Sequence, residues 1–131
     1  MKRLKLPTVA ILSLILAQPL LAEESLITGL FSTFRLSENS GDIVGAEIHI
    51  VPNPVGYSRI VQASEGAPGF PEVLSLTVKG NSIEFLVPRK SASGLPPGKY
   101  VGTITKDGLR LQGLSDHYKN YVMPRTNSYW P

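Results

Sequence analysis

The side chains that could do chemistry in this chain are few, and two of them share one face of a predicted strand. His49 follows Glu47 by two positions, so both side chains lie on the polar face of the segment 43–51. Such a pair could serve as an acid and a base, or as half of a metal site. No H-x-x-x-H spacing and no cysteine supplies the missing ligands, which favours an ordinary exposed polar face.

The second histidine lies in a run of triad residue types, Ser115, Asp116 and His117. Consecutive residues rarely converge on one substrate atom, and the chain has no G-x-S-x-G motif. The glycine-rich run at residues 94–98 contains two prolines, which lack the backbone N–H groups that a phosphate loop needs. We therefore predict a protein that is not an enzyme and that holds no metal or cofactor.

Binding is better supported than catalysis. The polar face of one predicted strand and a basic, aromatic face of the next could meet across neighbouring strands as one patch. A tyrosine from a later strand would add an amphipathic ring of the kind that suits a ligand site. The predicted ligand-binding residues are Glu47, His49, Tyr57, Arg59 and Tyr100.

The elements that must position these side chains are β-strands, because apolar residues recur mainly at every second position. In the first such segment, Leu26, Leu30 and Leu36 share one face and Phe31 lies on the other. No amphipathic helix of three turns is visible before His117. The seven predicted strands span residues 26–36, 43–51, 57–65, 73–79, 82–87, 100–105 and 109–114.

Turn residues between the strands indicate how they are joined. The two-residue connection Gly80-Asn81 is typical of a tight hairpin, and Lys106–Gly108 predicts a second one. Local connections of this kind produce an antiparallel meander, whose exposed edges are best removed by closure. We predict an all-β fold, a small antiparallel meander of seven to eight strands forming a closed or nearly closed barrel, with a two-sheet sandwich as the alternative.

The first 22 residues have the pattern of a secretory signal peptide. A basic start is followed by an apolar run over residues 6–16, and Ala22 provides a small residue at the predicted cleavage point. We predict an exported protein, either periplasmic or extracellular. The predicted organisation is a signal peptide at 1–22, a β domain at 23–114, and an aromatic C-terminal tail at 115–131 that packs on or caps the domain.

The charge and the cysteine content limit the classes of partner that we expect for this protein. Three of the 13 Lys and Arg residues precede residue 23, so ten basic residues face ten acidic ones in the remainder. A neutral domain lacks the positive surface that nucleic acids attract, and its strand segments are too short and proline-interrupted for a membrane span. Without cysteine, the domain depends on core packing for its stability. The predicted partner is a small molecule or an envelope protein.

Three sequence segments resemble those of small exported bacterial β-barrel proteins of uncharacterised function: Ser37–Asp42, Gly98–Ile104 and Asp107-Gly108-Leu109. The Gly-x-Tyr-x-Gly strand at 98–102 is also similar to strands of lipocalin-type and avidin-type barrels. The early Gly-x-Trp motif of lipocalins is absent, so the resemblance implies the barrel without a deep cavity. We predict a non-enzymatic exported module that binds a small ligand or an envelope component. The alternative is a structural or protein-interaction protein of the envelope that can form an oligomer.

Overall fold

The fold is given by a computed structural model that describes residues 26–113 and 120–130. Within these ranges the chain contains strands and no helix, and therefore no helix that could cross a membrane. All strand pairs are antiparallel. The strands are β1 (Gly29–Ser32), β2 (Arg35–Leu36), β3 (Ile43–Asn53), β4 (Gly56–Gly66), β5 (Glu72–Lys79), β6 (Ser82–Val87), β7 (Gly98–Ile104), β8 (Gly108–Gly113) and β9 (Tyr121–Pro124).

The strands follow one another around the sheet in almost the order of the sequence. Each strand from β3 to β8 pairs with the next one, and β1 and β2 both pair with β3. The predicted all-β meander is confirmed, and the sheet forms a nearly closed barrel. Its seam lies between β1 and β9, which are joined by one isolated bridge, Phe31 with Arg125, instead of a ladder.

The first predicted strand, 26–36, is divided into β1 and β2. Phe31 lies opposite Ile48 in the ladder and is fully buried, whereas Leu26 and Leu36 are more than half exposed. Because directly opposed side chains share a face of the sheet, the inward orientation of Ile48 places the Phe31 ring in the interior. The leucine face of this segment therefore points outward.

The interior of the barrel is filled by inward-facing side chains from the strands. These side chains form one continuous cluster, and burial of each large one contributes roughly 1.5–3 kcal/mol before the cost of ordering the chain. The cluster replaces the disulfides that a small domain without cysteine cannot form. Its members are Ile27, Phe31, Ala46, Ile48, Ile50, Val61, Ala63, Leu76, Ile83, Phe85, Val87, Leu95, Tyr100, Ile104, Leu109, Leu111 and Met123.

An arginine side chain takes the place of ladder hydrogen bonds at the seam between β1 and β9. The two terminal nitrogens of the Arg125 guanidinium donate to the carbonyl oxygens of Thr28, at 2.6 Å, and Leu26. The same group lies over the Phe31 ring, 4.8 Å from its centroid. The Thr126 amide donates to the Leu30 carbonyl at 3.1 Å. One cation thus joins the C-terminal segment to the chain before β1.

Arg125→Met should loosen this seam. The variant loses two charge-assisted hydrogen bonds, so we expect the free energy of unfolding to fall by about 2–4 kcal/mol. Urea unfolding measures that loss, and amide hydrogen exchange should show faster exchange over residues 26–31. Arg110→Met is the matched control, since Arg110 is exposed on β8 and its side chain makes no hydrogen bond with the described residues. Equal stability of the two variants would contradict the role assigned to Arg125.

Candidate functional site

The five residues predicted to bind a ligand lie on opposite sides of the sheet. In the ladder between β3 and β4, His49 lies opposite Ile60 and the buried Ile50 lies opposite Arg59. Because side chains alternate along a strand, the face of His49 is the outside of the barrel and the face of Arg59 is the inside. The five do not form one patch. The outward members are Glu47 and His49, and the inward members are Tyr57, Arg59 and Tyr100.

Glu47 is engaged by the C-terminal segment. Its carboxylate oxygens accept hydrogen bonds from the Ser128 hydroxyl at 2.9 Å and the Tyr129 amide at 3.0 Å. The Trp130 indole N–H donates to the Gln62 side-chain oxygen at 2.8 Å. These contacts hold the C-terminal segment against the outer face of β3 and β4. Glu47 therefore binds residues 128 and 129 of this chain.

An aromatic cluster of Phe34, Tyr129 and Trp130 lies on the outer face of the sheet beside Glu47. The Phe34 ring makes edge contacts with Tyr129 at 5.9 Å and Trp130 at 5.7 Å between centroids, and it is largely buried by them. His49 lies half-buried on the same face, whereas the Glu47 carboxylate bonds Ser128 and Tyr129. The Ser115–His117 run lies outside the described residues.

Arg59 is the most unusual side chain in the interior. It is fully buried, at 0% exposure. Its two terminal guanidinium nitrogens donate to the carbonyl oxygens of Ser75 on β5 and Leu86 on β6, the latter at 2.8 Å. The guanidinium carbon lies 3.9 Å from the centroid of the Phe85 ring. The Nε atom is buried with no hydrogen-bond partner among the described residues.

The charge of Arg59 has no ion-pair partner within the described residues, where Lys99 forms a salt bridge with Glu84. Burial lowers the pKa of Arg59 to about 10, and the carboxylate of Glu72 opposes this shift. The side chain is therefore still a cation at neutral pH. Two backbone carbonyls and one aromatic ring compensate a desolvated charge, an arrangement that is costly compared with apolar packing.

Arg59 occupies the position at which β5 and β6 stop pairing. The ladder between them contains three pairs and ends at Thr77 and Glu84. In the same register, Ser75 and Leu86 would be the next hydrogen-bonded pair, because bonded and non-bonded pairs alternate. Instead, both of their carbonyl oxygens accept from the guanidinium. A planar group that bridges two carbonyls holds the strands farther apart than a direct N–H···O bond would.

The separation creates a groove in the barrel wall, which we call the β5–β6 groove. Its volume is about 560 Å³. Apolar side chains form much of the lining, and the paired Glu84 and Lys99 lie at its edge. Val73 and Leu86 point outward from the two separated strands and are 67% and 64% exposed. The lining residues are Leu74, Ser75, Thr77, Glu84, Phe85, Leu86, Pro88 and Lys99.

Tyr100 supports the groove from inside the barrel. Its ring stacks on Phe85 with centroids 5.1 Å apart and an interplanar angle of 12°. Its hydroxyl donates to the Pro96 carbonyl at 2.8 Å, which ties the loop between β6 and β7 to the strand. Arg59, Phe85 and Tyr100 thus form a layered stack of cation, ring and ring. Two of the five predicted site residues belong to this stack.

The buried hydroxyl of Tyr100 should make stability decline in alkali. Burial raises the pKa of Tyr100 above its ordinary value of 10.0. Above that pH the unfolded chain releases the proton while the native chain retains it, so stability present below pH 10 is lost as the pH rises. We expect the unfolding free energy of the wild type to fall, relative to that of Tyr100→Phe, above about pH 10. Urea unfolding at several pH values measures the difference, and parallel pH profiles would contradict this assignment.

Sequence reasoning selected Arg59 and Tyr100 but missed the groove-lining residues. The pattern of β4 held a clear signal, since Arg59 alternates with Tyr57, Val61 and Ala63 on the inward face. A cation within an apolar row is either buried or marks a break in the strand. The residues of β5 and β6 carried no such signal, because their alternation is the same whether or not their edges are paired.

The described residues contain no group of three His, Asp or Glu side chains that could hold a metal ion. Comparison with known proteins finds no matching family model, no similar curated protein and no similar solved structure.

Proposed function

We propose that this protein is an exported, non-enzymatic binding module whose binding site is the β5–β6 groove. The observation that carries the proposal is Arg59, a fully buried cation that holds two adjacent strands apart. Closing the ladder at Ser75 and Leu86 would satisfy the same carbonyls without burying a charge. A costly arrangement that maintains an opening is typical of functional sites, where stability is sacrificed to geometry.

The groove has the composition of a binding site. Its floor includes the side chains of Leu74 and Phe85, and its edges offer hydroxyls from Ser75 and Thr77. Binding sites commonly combine an apolar lining with a few polar groups. The charged groups at the edge, Glu84 and Lys99, are paired with each other at 2.9 Å, which supports binding rather than acid–base chemistry.

A small-molecule screen by amide NMR tests the proposal. Apolar, aromatic and carbohydrate fragments are added to the purified protein, and shifted amides are mapped. We expect the shifts to cluster along β5 and β6. Ser75→Trp, which fills the mouth of the groove, should abolish them, whereas Gln112→Trp, at an exposed position on β8, should leave them unchanged. Shifts that are absent, or that are unaffected by Ser75→Trp, would overturn the proposal.

The second candidate is a structural or protein-interaction protein of the envelope. The exposed Val73 and Leu86 favour it, because large apolar side chains on both edges of one opening suit a protein partner. It predicts that soluble small molecules bind only weakly, and that a polypeptide occupies the same groove.

A further inference from the structure

A second cavity, which we call the end cavity, lies at the end of the barrel where β3 begins and β4 ends. Its volume is about 480 Å³, within the usual range of small-molecule sites. The lining includes Thr33, Arg35, Val44, Glu65 and Tyr121. None of these residues lines the β5–β6 groove, so the end cavity is a separate feature of the fold.

The rows of side chains across β3 and β4 explain why the barrel is open at this end. Val44 lies opposite Glu65 in the ladder, and the next inward-facing row is the pair Ala46 and Ala63. The large side chain of Ile48 follows only one row deeper. Because a small barrel is filled only by its own side chains, rows of small and polar residues leave a cavity at its end.

Two opposite charges lie on either side of the end cavity. Arg35 on β2 is opposite Val44, which in turn is opposite Glu65 on β4. Since Val44 has the inward orientation of Ala46, and directly opposed residues share a face, all three side chains are directed inward. With β3 between them, the Cα atoms of Arg35 and Glu65 are about 10 Å apart. Both side chains are exposed, and neither forms an ion pair with a described residue.

The remaining lining is apolar or carries hydroxyl groups. The half-buried Val44 lies between the two charged residues. The Thr33 hydroxyl accepts from the Ala46 amide at 3.1 Å and contacts the Tyr121 hydroxyl. These hydroxyls bond within the protein, which leaves the Arg35 guanidinium and the Glu65 carboxylate as the groups that recognise a ligand.

We propose that the end cavity binds a small zwitterionic molecule. Its carboxylate pairs with Arg35, its ammonium group pairs with Glu65, and the short apolar chain between them lies over Val44. A guanidinium bonds a carboxylate through two parallel N–H groups, and a carboxylate accepts strongly from an ammonium group. A molecule with a single charge satisfies only one side of the cavity. This site is additional to the β5–β6 groove and does not depend on it.

Three molecules of matched chain length test the ligand class. 5-Aminopentanoate carries both charges, pentanoate lacks the ammonium group, and pentylamine lacks the carboxylate. Each is titrated into the purified protein while amide NMR shifts are followed. We expect 5-aminopentanoate to give saturable shifts around Thr33, Val44 and Glu65, and the other two to bind about tenfold more weakly or worse, since each lacks one charge-assisted contact. Equal affinity of either single-charge molecule, or the absence of saturable shifts, would overturn the proposal.

Charge variants test the two recognition groups. Arg35→Met and Glu65→Gln should each weaken binding of 5-aminopentanoate about tenfold or more. The matched controls are Arg110→Met and Asp107→Asn, at exposed positions away from the end cavity, and they should bind as the wild type does. Equal weakening by the variants and their controls would show a general charge effect, and would contradict the assignment.

Exchange of the two charges is the sharpest test. Arg35→Glu and Glu65→Arg should each abolish binding when made alone. Combined in one chain they should restore most of it, because a zwitterion can bind in the reversed orientation. A double variant that binds as weakly as the single ones would show that the ligand does not span the two charges, and would overturn the proposal.

Ser75→Trp separates this site from the proposed function. It fills the β5–β6 groove, whose lining contains no residue of the end cavity, so binding of 5-aminopentanoate should be unchanged. Loss of binding in this variant would place the zwitterion in the groove and overturn the end cavity as its site.

Discussion

Replacement of Arg59 by methionine is expected to close the β5–β6 groove. Methionine has an apolar side chain of similar length, but it donates no hydrogen bond to the Ser75 and Leu86 carbonyls. These residues are already in register for the next ladder pair, so the strands can come together and satisfy each other. Amide hydrogen exchange should show new protection at Ser75 and Leu86, and binding of groove-binding fragments should fall by at least tenfold.

The stability of Arg59→Met should change little despite this rearrangement. Loss of two charge-assisted hydrogen bonds costs about 3–6 kcal/mol. Release of the desolvated charge, whose pKa burial lowers to about 10, returns on the order of 3 kcal/mol. A new pair of neutral ladder bonds returns about 2 kcal/mol. Urea unfolding should therefore detect a net change of a kcal/mol or two, much smaller than the effect on binding.

Arg59→Lys is the control for this prediction. An ammonium group keeps the positive charge and can donate to both carbonyls, although without the planar geometry of a guanidinium. We expect the groove to remain open and fragment binding to be partly retained. Unprotected amides at Ser75 and Leu86 in Arg59→Met would show that the strands stay apart for another reason, and would contradict the role assigned to Arg59.

Gly45→Ala should produce the largest loss of stability on the outer face. Gly45 has a φ of +118°, which side-chain-bearing residues rarely adopt, and an added Cβ would lie 2.5 Å from the Thr33 carbonyl oxygen. The Thr33 backbone cannot move away from the added Cβ as the end of a flexible side chain would. The Thr33 hydroxyl at this point also contacts the Tyr121 hydroxyl and accepts from the Ala46 amide at 3.1 Å. The backbone strain at residue 45 and the displacement of Thr33 should together lower the free energy of unfolding by about 3–5 kcal/mol.

The turn residue Gly41 offers a matched comparison for Gly45. It has a φ of +75°, but nothing lies within 4 Å of a Cβ added there. Gly41→Ala should therefore cost only the conformational strain, about 1 kcal/mol. Circular dichroism melting should show a depression of more than about 10 °C for Gly45→Ala and only a few degrees for Gly41→Ala. Similar melting temperatures would show that the close approach of Thr33 is not what requires glycine.

The two arginines that join separated parts of the barrel wall follow one pattern. Arg59 and Arg125 each donate to two backbone carbonyls, and each lies against an aromatic ring, Phe85 and Phe31 respectively. The five donors of a guanidinium let one side chain replace ladder bonds where two strands do not meet. Arg125 joins the C-terminal segment to the chain before β1, whereas Arg59 bridges β5 and β6 beside the β5–β6 groove.

The sequence alone determined the strand segments and their order. Alternation in the segment 43–51 and the Gly80-Asn81 turn are local features, because a period of two and a tight turn depend on residues close together in the chain. They correctly predicted an all-β meander and a nearly closed barrel. The sequence prediction placed Arg59 in one patch with Glu47 and His49, and the structure places it on the opposite, inward face.

Only the tertiary structure decided where the ladders end and what replaces them. The residues of β5 and β6 have the same alternation along their paired and unpaired parts, since the pattern reports which face is buried and not whether the backbone edge is bonded. The contacts of Arg59 with Ser75 and Leu86 join residues 16 and 27 positions away. Packing of Trp130 against Gln62 spans a still longer distance in the chain. Such contacts arise from the balance of the whole core, so no local pattern encodes them.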